Sequence, residues 1–418
     1  MCRTRIKSTR SSEGNGVCMV TPKGWESRPI GDFLEFKNGL NKGKEFFGYG
    51  TPIVNYMDVY HHRGLHASDI QGSVSLEREE IRRFAVRQGD VFFTRTSETP
   101  DEVGISSVLL DDLPDGVFSG FVLRGRPKSS ELLHAYCKYC FSTGSVREAI
   151  VKSCTYTTRA LTNGNVLSRI EILVPPVDEQ RRIVDALDDI ESLIEAQSKL
   201  VHKLKNLQRG TAQMLFSTKK WKSVKLGCLG GFISGSVFPL SEQGRTNEAL
   251  PFYKVSDLSR PGNETVMYGA NHYVSYDVAE KLGCKVIPQN AIVFAKIGGA
   301  IFLERKRLTS QACCIDNNMM AMVPNHETTP LFLYFLLQQI TLTRYIEATA
   351  LPSLSPRVIS DVDVTIPINI KEQEEVVKTL LDMDKNIAAA EQELMKYKQI
   401  RQGMMRELLT GHIRLVQE

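Results

Sequence analysis

No apolar run in this 418-residue chain approaches the roughly 18 residues that a membrane-crossing helix needs. Leu331-Phe-Leu-Tyr-Phe-Leu-Leu337 comes nearest, stops at Gln338-Gln339, and reads as a buried domain helix. The first residues are basic and polar with no apolar h-region, which excludes a secretory signal and leaves 1–20 as a disordered basic tail. The cysteines are nine, odd in number and scattered, so no disulfide framework is expected. Cys137-Lys-Tyr-Cys140 has no second CxxC or nearby His pair to complete a zinc site. Cytoplasm is the expected compartment. Tryptophan is scarcer still, with two in the chain.

Those two tryptophans open matching segments. Trp25-Glu-Ser-Arg-Pro-Ile-Gly31, followed by Gly39, returns 196 residues later as Trp221-Lys-Ser-Val-Lys-Leu-Gly227, followed by Gly235. The segment ends match too: Val174-Pro175-Pro-Val-Asp-Glu-Gln180 returns as Ile366-Pro367-Ile-Asn-Ile-Lys-Glu-Gln373. A period near 200 is far longer than the 20–50 residues of a solenoid repeat. It implies two copies of one globular domain, each followed by a helical arm, and a target with two halves.

The prolines at 175, 176 and 367 mark where each domain gives way to its arm, because proline fits just before a new helix. In the first arm Ile183, Leu187, Ile190, Ile194, Gln197, Val201 and Leu204 alternate four and three residues apart. The second repeats this with Val376, Leu380, Met383, Ile387, Ala390, Leu394 and Tyr397. That spacing puts one apolar stripe on each helix, and such a stripe pairs with another helix. The first arm carries a further period-seven row, Leu193, Leu200, Leu207 and Met214, whose counterparts are Asn386, Glu393, Ile400 and Glu407. This row implies deeper packing of the first arm, on a domain or a partner subunit, or else a wider seam between the arms. Gly210 and Gly403 predict a stop or bend near the arm ends. Two-fold related repeats require antiparallel arms with the domains at opposite ends.

The expected fold is therefore α/β (α+β). Domains at 21–176 and 218–367 are joined by coiled-coil arms at 177–217 and 368–418, with pseudo-two-fold symmetry. The chain carries net +4, distributed as +3, −1, +3 and −1 over the successive parts, so both domains are mildly basic. Within the domains, Asn55-Tyr-Met-Asp58 parallels Lys254-Val-Ser-Asp257. Gln88-Gly-Asp-Val-Phe-Phe-Thr-Arg95 parallels Gln289-Asn-Ala-Ile-Val-Phe-Ala-Lys296, an apolar strand ending in a base. Beyond it the copies diverge, since Thr96 to Gly104 has no counterpart in Ile297-Gly-Gly-Ala300. A repeated framework with unlike loops suits two versions of one kind of target.

Catalytic motifs fail on inspection. Gly39-Leu-Asn-Lys-Gly43-Lys44-Glu45 is one residue short of a P-loop and lacks its Ser/Thr. Glu304-Arg-Lys306 has the Glu-x-Lys of a nuclease metal site without an acidic partner at a suitable distance before it. Val174-Pro-Pro-Val177 lacks the flanking polar and aromatic residues of an amino-methyltransferase motif, and no Gly-rich loop for S-adenosylmethionine follows a strand. His61, His62 and His66 lack acidic or Cys companions and suit DNA or water contact better than metal. No catalytic residue and no metal site is assigned.

Taken together these features resemble the specificity subunit of type I restriction–modification systems. The match lies in the Trp-x-x-x-x-Leu/Ile-Gly openings, the Gly89-Asp90-Val-Phe-Phe strand and the Pro-x-x-x-Glu-Gln arm start. It extends to the arm endings Leu207-Gln-Arg-Gly210 and Ile400-Arg-Gln-Gly403-Met-Met-Arg-Glu-Leu-Leu-Thr-Gly411. It covers about Thr21 to Leu415. The second copy departs at Asn290-Ala291, which predicts a differently shaped turn there. The resemblance implies a non-catalytic subunit whose two target-recognition domains each read half of a bipartite site on double-stranded DNA. It implies arms that set the gap and dock two modification (methyltransferase) subunits, with restriction subunits beyond them. S-adenosylmethionine, ATP and Mg would then be bound by those partners and no cofactor by this chain. A coiled-coil adaptor binding only proteins is the alternative, and a self-sufficient methyltransferase a third reading.

Arg and Lys bond guanine edges in the major groove, and small polar side chains bond bases or phosphates. Candidate DNA-binding residues in the first domain are Lys42, Lys44, Arg63, Thr94, Arg95, Thr157, Thr158 and Arg159. In the second they are Lys254, Arg260, Lys296, Arg305, Lys306 and Arg357.

Overall fold

A computed structural model describes residues 21–156, 158–217, 221–346 and 351–416. The chain divides into two compact units, residues up to 196 with those from 394 onward, and residues 197–393. The tail 1–20 lies outside the described residues.

Each unit is built on a five-stranded mixed sheet. In the first the strand order is Leu34–Asn38, Val122–Pro127, Val91–Thr94, Ser106–Leu109, Gly64–Leu65. In the second it is Gly230–Ser234, Met319–Pro324, Ile292–Ala295, Lys306–Thr309, Val266–Met267. In both, the first three pairings are antiparallel and the last is parallel. The central strands Val91–Thr94 and Ile292–Ala295 are buried throughout, so their apolar runs face core on both sides. A three-stranded sheet accompanies each, Ser73–Val74, Phe47–Val54 and Val117–Phe118 in the first, Tyr273–Val274, Leu250–Tyr253 and Cys314–Ile315 in the second. The helix foreseen at 331–337 runs Pro330–Gln339, capped by the Thr329 hydroxyl and buried.

The duplicated motif has a physical cause at each position. Trp25 donates its indole N–H to Glu179 (2.9 Å), and Trp221 donates to Glu372 (2.8 Å). Those strands, Glu26–Pro29 and Lys222–Lys225, then pair antiparallel with Glu171–Val174 and Asp363–Ile366, which close each domain. Gln180 is fully buried. Its amide donates to the carbonyls of Glu131 (2.8 Å) and Pro175 (2.9 Å) and accepts from the Leu133 N–H (2.9 Å). Gln373 repeats this with the Glu327 (3.0 Å) and Pro367 (3.3 Å) carbonyls and the Thr329 N–H (3.1 Å). Glycine recurs where backbone crowds it: a Cβ on Gly31 or Gly227 would sit 2.8 or 2.9 Å from the Cβ of Ser168 or Ser360. On Gly39 or Gly235 it would strike the carbonyl oxygen of Ser119 or Asp316. The Asx-type positions 58 and 257 cap their own turns, accepting from the Asn55 (2.7 Å) and Lys254 (2.8 Å) N–H groups.

The turn at Asn290-Ala291 keeps the shape of its counterpart, against expectation. Gly89 (φ 88°) and Asn290 (φ 65°) both take the left-handed conformation, which Asn tolerates better than most residues. Gly89 N–H bonds the Leu109 carbonyl (2.8 Å) just as Asn290 N–H bonds that of Thr309 (2.9 Å). What changes is the group beneath. Buried Asp90 is held by Arg126 (2.8 and 2.6 Å), whereas Ala291 in its place is packed in an apolar core. Replacing a buried ion pair by packed apolar groups carries little net cost.

The arms are single helices, Val177–Phe216 and Ile370–Leu409. Both continue through Gly210 and Gly403, so neither glycine stops its helix; around each a Cβ would meet open space. The arms pair antiparallel. In the first unit Arg401 meets Glu191 (3.1 Å). In the second Gln208 donates to Asp384 (2.5 Å), Lys205 pairs with Glu391 (2.6 Å), and Gln197 donates to the Ala390 carbonyl (3.0 Å). Gln197 thus satisfies itself within the seam and pins its register. Seam positions Ile183, Leu187, Ile190, Val201, Val376, Leu380, Ile387 and Ala390 are buried, and Ile194, Leu204, Met383, Leu394 and Tyr397 half-buried. The period-seven row behaves otherwise. Leu193, Leu200, Leu207 and Met214 are 49, 44, 60 and 68% exposed, so neither a domain nor a widened seam covers them.

The chain's last described segment fastens the first unit. Arg414 makes two bonds to buried Glu179 (2.8 Å each) and one to the Lys23 carbonyl (2.7 Å). Burial pushes the Glu179 carboxyl up, but Arg414 and Trp25 outweigh it and hold it below its ordinary value. A depressed folded pKa contributes stability above the unfolded value that disappears as pH falls through the folded one. The first unit should therefore weaken in acid through this group, and Glu179→Gln should flatten the acid limb of its urea midpoint followed by Trp25 fluorescence. Gln180→Leu and Gln373→Leu strand buried backbone groups and should each cost about 1–3 kcal/mol. The loss falls on the Trp25 transition for the first and the Trp221 transition for the second.

Candidate nucleic-acid interface

In each unit the central strand delivers a basic residue into a cluster of loops and pins its backbone on both sides. Arg95 N–H bonds the Phe121 carbonyl (2.9 Å), and the Arg95 carbonyl accepts from Thr162 (3.0 Å). Lys296 N–H bonds the Asn318 carbonyl (2.8 Å), and its carbonyl accepts from Leu354 (2.8 Å). Arg95 and Lys296 are thus structurally equivalent, as the parallel between the two copies implied.

Around Arg95 the loops are tied together by hydrogen bonds and an ion pair. Its guanidinium donates to the Gly120 carbonyl (3.3 Å), and the Gly120 N–H bonds the Leu40 carbonyl (2.7 Å). Lys42 is held by Glu80 (2.6 and 2.8 Å) with its ammonium over the Phe46 ring, while Lys44 is exposed. Beyond Arg95, Thr96–Ser97 pairs with Ala160–Leu161, which pairs with Thr155–Tyr156. Thr158 and Arg159 are exposed on that hairpin, and Thr157 lies outside the described residues.

Three candidates of the first and second units are committed to structure. Thr94 is fully buried, donating to the Glu102 carbonyl (2.6 Å) and accepting from the Ile105 N–H (2.9 Å). Lys306 is buried too, bonded to Glu304 (2.9 Å) and the Ile340 carbonyl (2.8 Å), with burial lowering its pKa against the pull of Glu304. The Glu-x-Lys pair is therefore a structural staple: Glu304 also accepts from the Leu342 (3.0 Å) and Thr343 (2.9 Å) N–H groups. Arg63 is half-buried against Ser142 and Met405 (3.3 Å each), its pKa lowered by burial and then by Arg401. It lines a cleft of about 960 Å³ beside the second arm with Lys398, Arg401 and Arg406, apart from the loops around Arg95.

In the second unit Arg260 and Arg357 are exposed, Arg260 bonded to Asn271 (2.7 Å). Lys254, half-buried, reaches Gln243 (3.1 Å), and Arg305 donates to the Ser259 hydroxyl. Basic residue type alone passes over the exposed aromatic and apolar groups of the same loops. Phe121 and Tyr156 in the first unit are each 58% exposed, and Phe302 and Leu351 in the second are each 59% exposed. Large apolar side chains within otherwise polar loops were the available signal.

Comparison with known proteins agrees with this two-fold plan. The family described as type I restriction modification DNA specificity domain matches twice, at residues 22–206 and 218–398. The chain is 22% identical over 426 residues to the type I restriction enzyme MjaIX specificity subunit of Methanocaldococcus jannaschii, covering 94% of each. It is 25% identical over 210 residues to the EcoKI specificity subunit of Escherichia coli, covering 47% of this chain and 44% of that one. The fold matches a chain solved in work on complex assembly and conformational transition of the type I R-M system. That match has TM-score 0.59 at 16% identity and covers 94% of this chain and 99% of that one. It also matches the type I S subunit from M. genitalium, with TM-score 0.51 at 16% identity and coverage of 94% and 98%.

Substitutions should separate the two groups of candidates. Lys306→Met should lower stability of the second unit by about 1–3 kcal/mol, since Glu304 is partly solvated, and leave the salt dependence of DNA binding unchanged. Lys44→Ala, Arg260→Ala or Arg357→Ala should leave the urea midpoint unchanged and reduce the salt slope of binding by about one for each phosphate no longer neutralised.

Proposed function

This chain belongs to the type I restriction modification DNA specificity family, and on that footing we propose how its two units divide the work of recognition. It is a non-catalytic specificity subunit. The first unit reads one half of a bipartite site on double-stranded DNA and the second unit reads the other. The antiparallel arms set the number of base pairs between the halves, as the symmetry of a dimeric reader sets half-site spacing. Arg95 and Lys296, with the exposed bases around them, approach the DNA, most of them at phosphates. The observation that carries this reading is the repetition of one framework with unlike loops. Strand order, tryptophan and glutamine bonds and the pinned base all recur, whereas the amino-acid sequences that follow Arg95 and Lys296 differ.

Two modification (methyltransferase) subunits dock on the arms, and restriction subunits join through them. The uncovered row Leu200, Leu207 and Met214 supplies apolar surface suited to a partner helix. S-adenosylmethionine, ATP and Mg belong to those partners. An adaptor that binds only proteins would have no use for two basic domains with a shared framework and different loops.

Sequencing methylated adenines in cells that carry this gene and its neighbours should reveal a split motif with two unlike halves. An unsplit motif would overturn the reading. Adding one heptad at matching places in both arms lengthens each by ~10.5 Å. The permitted gap should grow by about 3 base pairs at 3.4 Å per step, with both half-sites unchanged.

A further inference from the structure

Among the described residues, the small sheet that follows Arg95 is longer than its counterpart in the second unit. There the same position holds a single bridge, Ile297 to Ser353, with the Gly298 N–H on the Pro352 carbonyl (2.8 Å). In the first unit the pairing runs on through Ser97, Ala160 and Tyr156. The loop from Thr96 to Gly104 is anchored from below. Arg147 donates to the carbonyls of Asp101 and Val103 (2.8 Å each), and Glu102 accepts from Ser97 (2.5 Å) and Tyr60 (3.3 Å). Among the side chains this platform leaves outward, beside Tyr156 and Thr158, are Glu98, 85% exposed, and Arg159, 58% exposed, 3.6 Å apart.

A solvent-exposed carboxylate, even one beside a base, is out of place on a surface meant for phosphates, which repel it. It becomes useful only where it meets a hydrogen-bond donor, and the donors on DNA edges are base amino groups. We infer that Glu98 and Arg159 are the specificity-determining pair of the first unit and read one C·G base pair in the major groove. The Glu98 carboxylate accepts from the cytosine N4 amino group, and the Arg159 guanidinium donates to O6 and N7 of the paired guanine. Acceptor and donor side by side match the donor and acceptors of that pair's edge. Glu98 follows directly on the strand Thr96–Ser97 and Arg159 directly precedes Ala160–Leu161, so the pairing of those strands brings the two side chains together before binding. This inference rests on the reading of the chain as a DNA-specificity subunit.

The test is the methylated motif of cells carrying the full chain with its neighbouring genes, compared for wild type, Glu98→Gln and Arg159→Ala. Wild type must first show a split motif; if it does not, the broader reading fails before this one is tried. Given that motif, both variants should relax one C·G position in one half-site, with discrimination there falling roughly 5- to 100-fold. The other half-site and the gap should stay as they were. Full retention of that half-site by both variants, or the change appearing in the other half-site, overturns the inference. Both side chains are solvated, and an unchanged urea midpoint confirms that the variants fold. A variant that binds all sequences more weakly with an unaltered motif places Arg159 on phosphate and equally overturns it.

Discussion

Everything in this chain depends on how each arm leaves its domain. At that junction a buried glutamine, Gln180 or Gln373, bonds two carbonyls and one N–H of loops that the domain must present in fixed positions. The preceding glutamate takes the tryptophan that opens the domain. Beginning, end and arm are thereby tied at one point. A buried amide with all three bonds made stabilises modestly, but the groups it serves are costly if left unmet. The junction therefore fixes the direction of a 40-residue helix relative to the sheet from which it departs. A measuring helix is of use only if that angle is fixed.

The two units solve one problem with unequal chemistry. The Asp90–Arg126 ion pair under one turn becomes an apolar contact under the other, with the turn itself unchanged. The Glu179 carboxylate is fastened by Arg414, whereas Glu372 is left at the surface with its tryptophan. Such exchanges leave the framework intact because backbone hydrogen bonding, not the side chains beneath, dictates its shape. Freedom remains in the loops, where among the described residues the first unit pairs three short strands and the second forms one bridge.

Much of this was legible in the residues. The tryptophans, the Glu-Gln pairs, the paired glycines and the 4-3 seam recur because each meets a local demand: a bond, a close approach, a stripe. Periodicity located the seam, half-buried Gln197 included. It could not tell which further apolar row is covered, since Leu193 to Met214 obey the same spacing and lie exposed. Nor could residue type separate an exposed base from a structural staple. Lys306 and Arg159 are both cations in loops or strand ends, yet one is enclosed with Glu304 and the other stands in solvent.

The sequence alone determined the doubling, the domain–arm alternation and the antiparallel helix pair, because these follow from repeated motifs and from the period of apolar residues. Tertiary structure decided which charges reach the surface and which loops share a platform. It showed that Asn290 can stand in for Gly89, and that Thr94 and Lys306 serve the core. Those outcomes depend on contacts between residues far apart in the chain, such as Arg147 with Val103 or Glu304 with Leu342. No local pattern encodes them, since burial belongs to the neighbours a side chain acquires and not to the side chain itself.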